Sequence, residues 1–189
     1  CLRRMQARTS GAPVLAVQSD LRRLPIADGV MAAATCIEVY SQFRSDDRQR
    51  VLSELARVIA PDGRLSISAF NYNAVFRLWA LRGNPGAREG EHMLGGDYYY
   101  RRFRKHEFRR ELEALFDVDE LTGIRNIPAR TLAGALRRVR ATSAADRFLD
   151  YMVERGHAAD FRLEGTPVAN LIGFFWQASC RPPASTRRG

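Results

Sequence analysis

Residues that can bind or react with a ligand lie at the ends of three apolar segments of this sequence. Asp20 ends the first segment, Thr35 to Glu38 end the second, and Phe70 to Asn73 end the third. In a parallel α/β sheet the carboxyl ends of the strands meet at one edge, and ligands bind there. If the segments are strands of such a sheet, this edge is where chemistry is expected.

More candidate residues follow the third segment. His92 lies in the glycine-rich stretch EGEHMLGG, which is predicted to be a loop that could close over a substrate. A surface histidine with no role is the plainer interpretation. Tyr98 begins a run of three tyrosines that could form an aromatic wall or pack against the next helix. Both alternatives stay open from the residues alone.

The elements that would position these residues alternate along the chain. Strands are predicted at 13–20, 30–39, 64–70, 117–128 and 168–180, and helices at 48–59, 105–116 and within 129–160. This alternation predicts an α/β, Rossmann-like fold, with a mostly parallel sheet, helices on both faces and a final antiparallel strand. We expect one domain over 1–181, an insertion around 71–100 and a disordered tail at 182–189.

Composition limits the classes of protein. The chain has 189 residues, of which 46% are hydrophobic, and no apolar run is long enough to span a bilayer. Its 30 Lys and Arg against 21 Asp and Glu give a formal charge of +9, but the arginines are spread over every segment. A nucleic-acid footprint would be concentrated, so nucleic acid is not the expected partner. Three unpaired cysteines favour a reducing, cytoplasmic setting.

Four motifs in sequence order resemble those of class I S-adenosylmethionine-dependent methyltransferases. They are Asp20 with Leu24-Pro25, the strand end Cys36-Ile37-Glu38, Glu54 with Arg57, and Pro61-Asp62-Gly63. The stretch YYYRRFRKHEFRRELEALF continues the resemblance to the small-molecule, type 11 branch of the family. The resemblance implies S-adenosylmethionine as the cofactor and methyl transfer to a small apolar or aromatic acceptor.

The resemblance also implies roles for four residues. Asp20 would accept a hydrogen bond from the adenine amino group, and Leu21 would contact the adenine ring with its backbone and side chain. Cys36 and Ile37 would line the methionyl part of the cofactor. Without the resemblance, Asp20 is a loop-capping carboxylate and Cys36 a small buried residue.

Methyl transfer from a sulfonium is an in-line displacement, so positioning is the main task of the protein. Tyr40 and His92 are candidates for a general base, although neither is singled out. Asn71, Tyr72 and Tyr98 are expected to bind the substrate. The apolar stretch 74–81 falls where such enzymes carry substrate-capping insertions, which suggests a hydrophobic acceptor pocket.

Three features depart from the family pattern. The glycine-rich loop and the ribose-binding carboxylate are absent, so we expect a chain that begins inside the domain, lacks two strands and binds the cofactor weakly or not at all by itself. Ser41-Gln42 replace the usual Glu-His, so no metal is expected. Asp62 replaces the first glycine of the usual Pro-Gly-Gly, which turn geometry tolerates.

Two other functions remain open at this stage. The chain could be a methyltransferase-like domain that has lost catalysis and serves as a binding module. It could also be an RNA-associated methyltransferase, which the positive charge would favour and a steep salt dependence of polyanion binding would support.

Overall fold

A computed structural model of the chain describes residues 17–83, 85, 88–94, 97–124, 162–163 and 165–183. The strands are β1 (Met31–Cys36), β2 (Ile59–Asn71), β3 (Gly90–Leu94), β4 (Tyr98–Phe103), β5 (Asp117–Ile124) and β6 (Phe175–Arg181). The helices are α1 (Ser45–Val58), α2 (Ala74–Leu81), α3 (Lys105–Glu113) and α4 (Pro167–Ile172), and Tyr40–Gln42 form a 3₁₀ turn. The helix predicted within 129–160 and the tail beyond 183 lie outside the described residues.

All these strands belong to one sheet in the order β3-β4-β2-β6-β5, with β1 also beside β2. The pairs β1–β2 and β2–β4 are parallel, whereas β6 is antiparallel to both β2 and β5. Strand β5 therefore runs in the same direction as β2. The prediction of an α/β, Rossmann-like fold with a final antiparallel strand is confirmed. The expectation of a mostly parallel sheet was wrong, because among the described strands two pairings are parallel and three, including the β3–β4 hairpin, are antiparallel.

Helix α1 covers the centre of the sheet with one apolar stripe. Val51, Leu52, Leu55 and Val58 are buried on one helical face, and the alternate residues of β2 that are buried include Leu65 and Ile67. Each such aliphatic side chain contributes about 2 kcal/mol when it is removed from water. The core extends through Phe103, Phe108, Leu112 and Phe116 to α3.

The boundary between α1 and β2 differs from the prediction. Pro61-Asp62-Gly63 was expected to end the helix, but α1 ends at Val58 and β2 begins at Ile59. The three residues instead lie where the register between β1 and β2 shifts, between Met31 and Ala33. A Cβ on Gly63 would lie only 2.8 Å from the carbonyl oxygen of Met31, so glycine allows the two strands to approach.

The predictions of two strands, at 13–20 and 168–180, were wrong in part. Residues 17–20 pair with no other strand among the described residues, and Asp20 forms only an isolated bridge to Arg23. The apolar run 168–180 divides into α4 and β6, because Thr166 caps a helix that has Pro167 at its start. A short apolar run does not distinguish a buried helix from a strand by periodicity.

Residues 71–100, which interrupt the predicted alternation, form two elements that border the carboxyl edge of the sheet. Asn73 caps α2 by accepting a hydrogen bond from the Phe76 amide at 3.0 Å. Strands β3 and β4 then form an antiparallel hairpin, and β4 joins the end of β2 through Phe103 beside Asn71. His92 therefore lies on β3, and the prediction that it sits in a loop was wrong.

Candidate functional site

The turn after β1 has an unusual backbone conformation. Glu38 adopts a φ of 60°, the left-handed region that side chains other than glycine rarely occupy. Two hydrogen bonds hold it: its amide donates to the Ser68 hydroxyl at 2.8 Å, and its carbonyl accepts from Gln42 Nε2 at 2.9 Å. Such strain persists where the surroundings fix it, and it is often found at binding sites.

The two residues before Glu38 have different environments. Cys36 is buried in the core, and burial raises the pKa of its thiol to about 11, so it stays protonated and unreactive. Ile37 is 45% exposed at the edge of the sheet, and Val39 beyond it is 39% exposed. The turn thus offers an apolar surface to a ligand above the end of β1.

Asp20 lies at the same end of the α1 layer as this turn. Arg22 binds Asp20 and also Asp47 in the first turn of α1, with a distance of 3.1 Å between Nη1 and Asp47 Oδ2. The chain then runs beside α1 towards Arg57, whose guanidinium donates to the carbonyl oxygens of Leu24 and Ile26. Because α1 begins where β1 ends, Asp20 lies towards the carboxyl edge of the sheet.

The Asp20 carboxylate is ionised and accessible. The Arg22 side chain and amide donate hydrogen bonds to it and lower its pKa to about 2. Three Arg22 donors already make four hydrogen-bond contacts with the two oxygens, but the side chain is still 49% exposed, so a ligand can reach the carboxylate. Leu21, next to it, is half-buried and packs against the core.

A cavity of about 280 Å³ opens at the carboxyl end of β2. Its walls come from β2 and α2, the start of α3, α4 and the start of β6: Asn71, Tyr72, Asn73, Ala74, Arg77, Arg104, Lys105, Asn170, Leu171 and Trp176. Two of the residues predicted to bind substrate, Asn71 and Tyr72, therefore share one cavity. Its volume is near the lower end of the range for small-molecule sites.

Backbone and amide hydrogen bonds hold the cavity walls together. Asn71 Nδ2 donates to the Gly173 carbonyl oxygen at 2.7 Å, and Asn73 Nδ2 donates to the same oxygen at 3.1 Å. The Tyr72 amide and Trp176 Nε1 both donate to the Phe103 carbonyl oxygen, each at 2.9 Å. The walls are therefore fixed relative to the sheet.

One polar atom of this cavity's residues is not satisfied. Asn71 is 1% exposed, and its Oδ1 has no hydrogen-bond partner among the described residues. The amide orientation follows from the bond that Nδ2 donates, so the unpaired atom is an acceptor. A buried unpaired acceptor costs about 1–3 kcal/mol, which makes it a feature that calls for an explanation.

Three predicted residues lie elsewhere. Tyr40, considered as a general base, is fully buried and its hydroxyl donates to Glu111 Oε2 at 2.5 Å. Burial and the Glu111 charge raise its pKa far above the usual range. His92 stacks on Tyr100 with ring centroids 5.2 Å apart, and Tyr98 lies on the same hairpin. Neither His92 nor Tyr98 lines the Asn71 cavity.

Residues that the sequence interpretation missed complete this cavity. Lys105 is the single lysine of the chain, among 30 Lys and Arg, and this rarity was the one signal that could have marked it. Arg77, Asn170 and Trp176 carried no such signal, because they come together only through the packing of α2, α4 and β6. Glu38 was among the strand-end residues named from the sequence, but nothing there indicated its strained backbone.

Comparisons with known proteins show what this chain is similar to. A family model described as "Methyltransferase domain" matches residues 2–67, which include the Asp20 turn, β1, α1 and most of β2. A sequence comparison with curated proteins found no match. The match to the family model thus covers the residues that form one half of this edge.

Solved structures give the fold. A SAM-dependent methyltransferase from Methanosarcina mazei is similar, with a TM-score of 0.58, 12% identity, and coverage of 96% of this chain and 76% of that one. The 1,6-didemethyltoxoflavin-N1-methyltransferase of Burkholderia thailandensis, solved with S-adenosylhomocysteine, has a TM-score of 0.57, 14% identity, and coverage of 95% and 55%.

A third similar structure is the [4+2]-cyclase SpnF, with a TM-score of 0.57, 17% identity, and coverage of 96% of this chain and 61% of that chain. This chain therefore spans less than two thirds of the length of two of these three structures. The fold is that of the class I methyltransferases. In the described residues, no helix is both long and apolar enough to cross a membrane.

Proposed function

We propose that this protein transfers a methyl group from S-adenosylmethionine to a small-molecule acceptor. The observation that carries the proposal is the edge where three features meet: the Asp20 turn, the strained turn at Ile37–Glu38 and the Asn71 cavity. The family match over residues 2–67 covers the first two features. The fold it shares with methyltransferases solved with S-adenosylhomocysteine supports the same cofactor.

The residues at this edge fit the proposed cofactor. An accessible carboxylate at Asp20 suits an amino-group donor on a purine, and half-buried Leu21 offers an adjacent apolar contact. Exposed Ile37 and Val39 offer apolar surface to an aliphatic chain. When bound, the cofactor supplies a methyl group on a sulfonium, which reacts by in-line displacement.

The contribution of this chain is positioning. The turn at Glu38 is bonded to Ser68, and the Phe70 amide donates to the Ser41 hydroxyl at 2.8 Å, so the cofactor edge and the end of β2 are joined directly. The cavity begins at the next residue, Asn71. None of its ten lining residues is a histidine or a carboxylate. We therefore propose that orientation and exclusion of water, not proton abstraction by these residues, drive the step.

A titration followed by nuclear magnetic resonance tests the cofactor site even at low affinity. S-adenosylhomocysteine is added to the ¹⁵N-labelled chain up to millimolar concentration. We expect saturable shifts at the Asp20, Leu21, Ile37 and Glu38 amides. The response should weaken in Asp20→Asn, because the amide presents a neutral oxygen to the adenine amino group.

Asp62→Asn is the matched control, since Asp62 lies at the opposite end of β2. Shifts that avoid residues 20–21 and 36–39, or no shift at millimolar ligand, contradict the proposal. Binding without any transfer of a labelled methyl group to an acceptor would instead favour a binding module. Because one of the similar structures is a cyclase, this fold alone does not determine the reaction.

A further inference from the structure

We propose that the Asn71 cavity recognises the carboxylate of a small aromatic acid, which makes an aromatic acid the methyl acceptor. The inference deepens the proposed function and rests on it. The notable feature is the combination of unpaired cations with an aromatic wall in one cavity of the right size for a small molecule.

Among the described residues that line the cavity, the charged ones are all of one sign. Arg77, Arg104 and Lys105 line it, and none of the ten lining residues is acidic. Arg104 is paired with Glu89 outside the cavity. Arg77 and Lys105 form no ion pair with any described residue, unlike Arg22, Arg48 and Arg57. A cation pair without a carboxylate partner is a natural counterpart for an anionic ligand.

Two helices begin at the cavity wall and add to the positive potential. Asn73 and Ala74 lie at the start of α2, and Arg104 and Lys105 lie at the start of α3. The amino-terminal ends of helices carry a partial positive charge that favours anions. The side-chain cations and the helix ends therefore act in the same direction on a ligand in this cavity.

The apolar wall fits an aromatic body better than a bare anion. Trp176 is 4% exposed, and its orientation is fixed by the bond from Nε1 to the Phe103 carbonyl oxygen. Leu171, on α4, is 55% exposed beside it. Lys105 Nζ lies 5.8 Å from the centroid of the Trp176 ring, so the charge and the flat surface are adjacent.

The unpaired Oδ1 of Asn71 adds a third recognition element. It is a buried acceptor without a partner among the described residues, while Nδ2 of the same amide is bonded to Gly173. A hydroxyl or amino group on the ring of the acid would supply the missing donor. This is also the kind of group that could accept a methyl group: its oxygen or nitrogen would form the bond to the methyl carbon as the carbon–sulfur bond of the sulfonium breaks, the electron pair of that bond would stay on sulfur, and the proton of the group would pass to solvent.

The chain offers a local reporter for the test, because Lys105 is its single lysine. Reductive ¹³C-methylation labels Lys105 and the α-amino group and keeps the lysine charge. Sodium benzoate, neutral benzamide and phenyl phosphate are then titrated separately against the labelled chain. We expect benzoate to move the Lys105 signal saturably and benzamide to leave it unchanged.

Substitutions assign the effect to the cavity. Arg77→Gln should weaken benzoate binding about tenfold or more, as expected for the loss of a charged hydrogen-bond partner. Arg50→Gln is the matched control, because Arg50 is 70% exposed on α1, away from the cavity, and should leave the affinity unchanged. Lys105→Gln, followed by tryptophan fluorescence in a Trp79→Phe background, should weaken binding to a similar degree.

The outcomes separate this inference from the proposed function. Equal responses to benzoate and benzamide, or equal losses in Arg77→Gln and Arg50→Gln, overturn the inference. A response to phenyl phosphate alone overturns the choice of a carboxylate. If benzoate does not bind while S-adenosylhomocysteine still shifts the amide signals of residues 20–21 and 37–38, only the assignment of the acceptor is wrong. If benzoate binds and the cofactor analogue does not, the proposed function fails and the anion site remains.

Discussion

Arg48 on α1 and Glu111 on α3 form a two-pronged ion pair beneath the carboxyl edge of the sheet. Nε lies 3.0 Å from Oε2, and Nη2 lies 3.1 Å from Oε1. Nη1 of the same arginine donates to the Phe43 carbonyl oxygen at 2.9 Å. The pair therefore fixes the turn between β1 and α1, which includes Glu38, against the third helix.

Replacement of Glu111 should destabilise the protein strongly. The Arg48 side chain is 2% exposed, so Glu111→Ala leaves a buried guanidinium without its counter-charge, at a cost of about 3 kcal/mol in the free energy of unfolding. Urea denaturation measures the change. Glu113→Ala, on the same helix in an exposed pair with Arg109, should cost below about 1 kcal/mol. Equal losses in the two variants would contradict the role assigned to the Arg48 pair.

The Tyr40 hydroxyl should matter for stability. Tyr40→Phe keeps the ring contacts with Phe103 and Phe108 but removes the hydrogen bond to Glu111. We expect the free energy of unfolding to fall by about 1.5 kcal/mol, as for a hydrogen bond to a charged group. Tyr98→Phe, where the side chain is 41% exposed, is the control and should change it by less than about 0.5 kcal/mol. An unchanged free energy of unfolding in Tyr40→Phe would show that the buried hydrogen bond contributes little to stability.

Stability at acid pH should depend on Glu54. Its carboxylate accepts from Arg57 and from the Leu24 amide, and the Arg57 hydrogen bonds are the main reason that its pKa falls from 4.5 to about 2. A lowered pKa contributes stability that is complete above the unfolded value and is lost as the pH falls towards the folded value.

The measurement compares wild type with Glu54→Gln by urea denaturation from about pH 6 to about pH 3. The wild type should be more stable at the upper end, and the difference should shrink continuously below about pH 4.5. A difference that is independent of pH would mean that the carboxylate charge is not the source of the stabilisation. The same ion pair gives the motif Glu54-x-x-Arg57 a structural role, because Arg57 also bonds to Leu24, Ile26 and Asp28 and so holds this loop along α1.

Much of the fold followed from local patterns in the sequence. The stripe at residues 51, 52, 55, 58 and 59 predicted α1, and the alternation after Arg64 predicted β2, because burial on one face imposes those periods. The split of 168–180 into α4 and β6 did not follow, since a continuous apolar run fits both. Gly123 shows the tertiary reason: a Cβ there would lie 2.0 Å from the Ala169 carbonyl oxygen, so α4 packs directly on β5.

The site was predictable only where residues adjoin a strand end. Asn71 ends β2 and Tyr72 follows it directly, so their place in the cavity could be expected from the sequence. Arg77, Lys105 and Trp176 are separated by up to 99 positions and meet only because β4 and β6 flank the end of β2. The apolar acceptor pocket expected from residues 74–81 stays a prediction beside the proposed charged cavity. The helix contributes Ala74 and Arg77 to the cavity wall.

The strain at Glu38 predicts that glycine is more stabilising than alanine at position 38, whereas alanine is more stabilising than glycine at a helical position. At a φ of 60°, Glu38→Gly should be more stable than Glu38→Ala by about 1 kcal/mol, because alanine keeps the left-handed penalty and glycine does not. Both variants lose the same side chain, so their difference isolates the backbone. In the helical control, Arg110→Ala should be more stable than Arg110→Gly by about 1 kcal/mol, because Arg110 is an exposed residue within α3. If the alanine variant is also the more stable one at position 38, the turn is not strained. The backbone of Glu38 then no longer indicates a binding site.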